Sequence, residues 1–186
     1  MVYVALLRGI NVGGNNKIDM KLLKEAFERI GMESVVTYIN SGNVIFTDLE
    51  HSKTELVTLI ENAIFESFQL HIRVLIRSID DFDHMMKILP ESWKNDEDMK
   101  CDVLFLWEEM DSETLLAELV MKPKIDRVLY APGAILWSVD KRDITSSGLM
   151  KLVGTTLYKN MTVRNANTTR KVYKIMQRLN SESEFN

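Results

Sequence analysis

Nine residues near the start of the chain, Arg8-Gly9-Ile10-Asn11-Val12-Gly13-Gly14-Asn15-Asn16, are built to touch something polar. Glycine lets backbone amides approach closely and adopt left-handed conformations, asparagine both donates and accepts, and arginine supplies a planar cationic fork. That set suits an oxyanion or a polar small molecule. Asn40-Ser41-Gly42-Asn43 is of the same kind. So are residues 140–148, with Arg142, Ser146, Ser147 and Gly148, and residues 164–168, with Arg164, Asn165 and Asn167. The candidate ligand contacts are therefore Arg8, Asn11, Asn40, Ser41 and Asn43 in the first half, and Arg142, Arg164, Asn165 and Asn167 in the second.

Better-known chemistries fit poorly. Gly9 and Gly14 have the glycine spacing of a phosphate-binding P-loop, but Asn15-Asn16 stands where lysine and a magnesium-binding hydroxyl are needed. Asp19, at the start of the next helix, would also repel a phosphate from the helix dipole. Ser147 and Lys151, at i and i+4, could touch on a helix but lack the serine-lysine spacing of the penicillin-binding enzymes, so a cap serine and a solvated lysine describe them better. The acidic groups Asp80-Asp81-Asp83 and Glu108-Glu109-Asp111 fall at helix beginnings, where the dipole favours carboxylates. Only Asp19, Asp143 and Lys151 lie near enough in sequence to the candidate contacts to move a proton, so no reaction is assigned.

One cysteine, Cys101, leaves no disulfide framework, and His51, His71 and His84 lack metal-ligand spacing. No metal and no cofactor are expected. With 23 basic against 27 acidic residues the net charge is −4, which argues against a broad nucleic-acid footprint and for a local anion site at most. No apolar run approaches the roughly 20 residues of a membrane span, and the chain opens on a strand instead of a leader. A cytoplasmic protein is expected, of undetermined oligomeric state.

The elements that must position these residues follow from periodicity. Residues 2–7 are apolar on both faces, as in a covered central strand. Asp19 caps a helix with Leu22, Leu23, Ala26, Phe27 and Ile30 inward, ending at Gly31. Residues 34–39 and 44–47 flank a turn, Ser52-Lys53-Thr54-Glu55 is a capping box ahead of a second helix, and residues 71–77 close a strand. The order strand, helix, strand, strand, helix, strand is that of a ferredoxin-like plait. A helix from residue 78 to Pro90 and a polar linker, residues 91–100, follow. The same order then recurs: strand 102–107, helix 111–120, strands 125–130 and 135–139 around a Pro132-Gly133 turn, helix 149–158 and strand 161–163. Val172, Ile175, Met176 and Leu179 mark a C-terminal helix, with residues 181–186 as a frayed tail.

The expected architecture is thus α+β, two tandem ferredoxin-like (βαββαβ) halves packed together plus a C-terminal helix. The segments are 1–78 for the first plait, 79–99 for a connecting helix and linker, 100–164 for the second plait, and 165–186 for the helix and tail. In a plait the loop after the first strand and the turn between the second and third lie at one end of the sheet, so residues 8–16 and 40–43 should converge. Residues 140–148 and 164–168 should do so in the second half. Two roles stay open for these clusters: ligand contact, or turns whose asparagines satisfy loop amides. A further alternative is an RNA-binding or protein-interaction module that uses a sheet face, with Phe105, Trp107 and Trp137 on a shared face as a stacking platform. Against it, neither third strand spells the RNA-binding motif; the rings are then better placed as filling between the halves.

Leu7-Arg8-Gly9-Ile10-Asn11-Val12-Gly13-Gly14, residues 38–46, and the segment running from Leu149 through Gly154-Thr155 to Thr168 resemble the bacterial family called domain of unknown function 1697. The resemblance spans essentially the whole chain. It implies a tandem pair of ferredoxin-like plaits and brings no established activity. That family commonly carries a tryptophan in the Arg-Asn-x-Asn-Thr segment, where this chain has Ala166.

Overall fold

The computed structural model describes residues 1–184. It is a mixed α+β structure with two four-stranded antiparallel sheets, their helices and a long C-terminal helix. The chain divides into two compact units, one made of Met1–Ile79 with the stretch from Val172 onward, the other of Asp80–Lys171.

The first unit runs β1 (Val2–Leu7), α1 (Met20–Arg29), β2 (Glu33–Tyr38), β3 (Asn43–Thr47), α2 (Lys53–Phe68) and β4 (Val74–Ser78), with sheet order β2-β3-β1-β4. β1 is central and antiparallel to both β3 and β4. Its alternate residues Ala5 and Leu7 join Val44, Phe46, Val74 and Ile76 in one core with Leu23 and Phe27 of α1 and Leu56, Ile60 and Ile64 of α2. Val4 and Leu6, on the other face, are buried as well, which is why the strand reads as unbroken apolar sequence. Asp19 caps α1, and the end is a Schellman turn in which Gly31 donates to Glu28 and Met32 to Phe27. Ser52 and Glu55 close the capping box of α2. Leu22, expected inward, is exposed, because the buried stripe of α1 centres on Leu23, Ala26 and Phe27.

α3 (Ile79–Ile88) leads into the second unit, where β5 (Met99–Leu106), β6 (Arg127–Ala131), β7 (Ala134–Asp140) and β8 (Met161–Asn165) form a sheet of order β6-β7-β5-β8. α4 (Gly148–Leu152) and α5 (Thr156–Lys159) precede β8, and α6 (Ala166–Glu184) follows it. Three features differ from expectation. The helix expected over 111–120 is two 3-10 turns, Glu108–Met110 and Glu113–Glu118. Asp111 does not cap it; its carboxylate accepts from the Tyr130 hydroxyl and the Gly133 amide and so holds the β6–β7 turn. The helix expected over 149–158 is broken into α4 and α5 at Gly154, whose φ of 90° only glycine adopts readily. The tail expected from 181 is helical as far as Glu184; its last two residues lie outside the described ones.

The aromatic platform is overturned by register. Trp137 stands opposite Asp102 and Phe105 opposite Ala134, which puts the two rings on opposite faces of the sheet. Trp137 lies in the core with Leu104, Leu106 and Ile135, whereas Phe105 stacks on Phe82 of α3 at 5.7 Å. Both rings and Trp107 are buried.

Candidate functional site

The glycine loop and the β2–β3 turn meet at one end of the first sheet. Their junction is the carboxamide of Asn11. Its Nδ2 donates to the Ile18 and Asn40 carbonyls, both at 2.9 Å, and its Oδ1 accepts from the Ile18 amide at 2.8 Å. One side chain thus fastens the loop to the start of α1 and to the neighbouring turn. Asn11 can do this because asparagine tolerates the left-handed backbone it adopts, φ 55°. Within the loop Asn16 Nδ2 donates to the Gly9 carbonyl at 3.0 Å and Asn15 N–H to Val12 at 3.1 Å. Gly13 and Gly14 bulge outward at positive φ, with open space where a Cβ would stand.

The β2–β3 turn is fixed from inside. Asn43 is fully buried and donates to the Tyr38 carbonyl and to Ser41 Oγ, and the Gly42 carbonyl accepts from the Leu7 amide. A Cβ on Gly42 would lie 2.7 Å from Leu7 Cβ, so glycine is required here by packing as well as by its φ of 74°. Beside it, Ile39 holds φ 50°, a conformation that strains a β-branched residue.

Between these walls is an open depression of about 470 Å³, lined by Asn11, Gly14, Lys17, Ile18, Asp19, Met20 and Asn40. Lys17 and Asp19 are exposed, and one carboxylate oxygen of Asp19 is committed to the Lys21 and Leu22 amides at 2.8 and 3.1 Å. Of the five first-half candidates, Asn11 and Asn40 line this space. Asn11 and Asn43 spend their carboxamides on the scaffold, and Ser41 accepts from Asn43. Arg8 is half-buried, and its backbone N–H donates to Arg73. Lys17 and Met20 were missed by sequence reasoning; their nearness to the capping Asp19 was the available signal.

In the second unit β7 and β8 both end beside the start of β5, so residues 140–148 and 164–168 leave the same end of the sheet, but the candidates there have different surroundings. Arg142 is 82% exposed and pairs with Asp140 and Asp143 at 3.6 and 3.5 Å, beside a depression of about 410 Å³ with Glu97, Asp98 and Lys141. Arg164 is buried; it donates to Thr162 Oγ1 and the Val163 carbonyl, and burial lowers its pKa to about 10. Asn165 Oδ1 accepts from the Thr168 amide at the start of α6. Asn167 grips the backbone of Asn95 in both directions, and Arg170 donates to the carbonyls of Pro90 and Trp93. The polar segment after Pro90 is thus hydrogen-bonded to the first turns of α6.

A buried polar group in this unit has Asp126 at its centre. Its Oδ1 accepts from Trp137 Nε1 at 3.0 Å and from Ser147 Oγ, and its Oδ2 from the Lys122 and Gly148 amides at 2.8 and 2.9 Å. Burial works against the charge, but these four donors, Ser147 and Gly148 foremost, hold the carboxyl below its usual range. Gly148 sits so close to the Val120 carbonyl that a Cβ would lie 1.6 Å from its oxygen. Nothing in the local sequence marks Asp126, because three of its four donors come from Trp137 and the Ser147-Gly148 pair, more than ten residues along the chain.

Among the described residues no three His, Cys, Asp or Glu side chains come together to hold a metal ion, and no helix is long and apolar enough to cross a membrane. Cys101 is buried and donates to Ser138, and burial pushes its thiol pKa up, so it is not poised as a nucleophile. The model of a family described as "Protein of unknown function (DUF1697)" matches residues 1–137. A conserved bacterial protein from Streptococcus pneumoniae with a solved structure is 30% identical, with a TM-score of 0.80 over 94% of this chain and 98% of that one. No curated protein matches.

Proposed function

The chain belongs to the family of proteins of unknown function DUF1697, and within that frame we propose that its first unit binds a small polar or anionic molecule in the depression beside the glycine loop. The observation that carries this reading is the convergence of three separate segments, the loop, the start of α1 and the β2–β3 turn, on one space of about 470 Å³ with Lys17, Asp19 and Asn40 in its lining. That size is within the range of small-molecule sites. Asn11 preorganises the site instead of contacting the ligand, Lys17 supplies charge, and Asn40 supplies a donor and an acceptor. We read each sheet with its helices as a ferredoxin-like plait, an interpretation supported by the strand orders β2-β3-β1-β4 and β6-β7-β5-β8 and, in the first unit, by the element order. We also place the protein in the bacterial cytoplasm, which is consistent with a single buried thiol.

The test is a thermal-shift screen of nucleotides, phosphorylated metabolites and amino acids on wild type, Lys17→Ala and Arg8→Ala. A ligand of the native state raises the midpoint by mass action. The reading expects at least one class to stabilise wild type and to lose most of that effect in Lys17→Ala. Equal stabilisation of wild type and Lys17→Ala would move the site elsewhere. Equal stabilisation of wild type and Arg8→Ala would take Arg8 out of it.

A further inference from the structure

We infer that the molecule taken up beside the glycine loop is a small zwitterion, an amino acid or a compound of like size that carries an ammonium and an anionic group together. This rests on the depression being a ligand site, as proposed above. Its lining holds one charge of each sign, Lys17 and Asp19, both exposed. Asp19 cannot turn away, because one of its oxygens caps α1 through the Lys21 and Leu22 amides. A fixed carboxylate repels a ligand that is only anionic, and so selects against nucleotides and sugar phosphates. The Asp19 carboxylate, in the lining, would pair with the ammonium of a zwitterion and the Lys17 ammonium, on a flexible stem, with its anionic group. Asn40 donates to or accepts from what remains. The volume of about 470 Å³ suits an amino acid or short peptide end better than a polymer.

The experiment is an amide-resolved NMR titration of the full chain with three probe pools at millimolar concentration. The pools are L-amino acids with uncharged side chains, their N-acetyl derivatives and their carboxamides, so that the last two carry one charge each. The inference expects the Lys17, Asp19 and Asn40 amides to shift with the first pool and not with the other two. Asp19→Asn keeps the cap, since asparagine caps as well as aspartate. It should weaken the response to the first pool about fivefold, the size of one partly exposed ion pair. Equal or larger shifts with the N-acetyl pool, or an unchanged response in Asp19→Asn, would overturn the zwitterion and leave the polar-ligand reading standing. No shift with any pool, while the ligand found by thermal screening perturbs the same amides, would overturn it equally. No shift with any pool or any screened compound would remove both.

Discussion

The glycine loop and the Asp126 group are assembled from the same kinds of residue and do opposite things. Around Asp126, a carboxylate, a serine, a glycine and an indole saturate one another in a buried space. In the loop, Asn11 saturates itself against the backbone of two neighbouring segments, while Lys17, Asp19 and the Gly13-Gly14 bulge stay at the surface. Residue type alone does not separate scaffold from site. What separates them is whether the polar groups find their partners inside the fold, since a buried group left unsatisfied is costly and an exposed one is not.

The glycines give the largest test of this contrast. Gly148→Ala forces a methyl into the Val120 carbonyl and should destabilise by about 3 kcal/mol or more, read from urea unfolding. Gly13→Ala meets only open space and bears the positive φ, so its cost should be about 1 kcal/mol. Comparable losses would erase the distinction between a packed glycine and a conformational one.

Removing the acceptors should rank next. Asp126→Ala strands the Trp137, Ser147, Lys122 and Gly148 donors together and should cost about 3 kcal/mol. Because the Asp126 pKa is lowered in the fold, its contribution is present above the unfolded value near 3.8 and is lost as pH falls through the folded one. The gap between wild type and Asp126→Asn should therefore narrow in acid. Asn11→Ala removes three hydrogen bonds at a half-exposed position and should cost about 2 kcal/mol, with ligand response lost as well. Asn11→Gly, which keeps the left-handed backbone, should recover part of the stability and none of the ligand response.

The smallest effect should come from His51, whose Nδ1 lies 3.0 Å from Asp48 at the entry to α2. The hydrogen bond to Asp48 raises the His51 pKa. Burial opposes the Asp48 carboxylate, yet its bonds to His51 and the Glu50 amide bring its pKa down. The raised histidine stabilises fully below its unfolded value near 6.5 and loses that contribution as pH rises through the folded value. The lowered aspartate contributes above about 3.8. Wild type should thus exceed His51→Gln in melting temperature most between those two values, with the difference fading above neutral pH. A difference that grew with pH would reverse the sign assigned to the pair.

Local signals carried much of the architecture. β1 reads directly as Val2–Leu7, the Asp19 cap and the Ser52–Glu55 box start their helices where periodicity put them, and the Asn40–Asn43 turn joins β2 to β3. Each depends on interactions between residues a few positions apart, which sequence spacing encodes. Where a distant group competed, the local reading failed. Asp111 was drawn from helix capping to the β6–β7 turn.

The sequence by itself therefore determined the strands, the main helix starts and the meeting of the glycine loop with the β2–β3 turn, because alternation, caps and turn residues act over short spans of chain. Only the tertiary structure decided that Asn11 is a clamp, that Lys17 and Asp19 share a depression with Asn40, and that Asp126 gathers four donors. Those facts depend on which groups from remote segments are brought within hydrogen-bonding distance once the sheets form. No spacing along the chain records that distance.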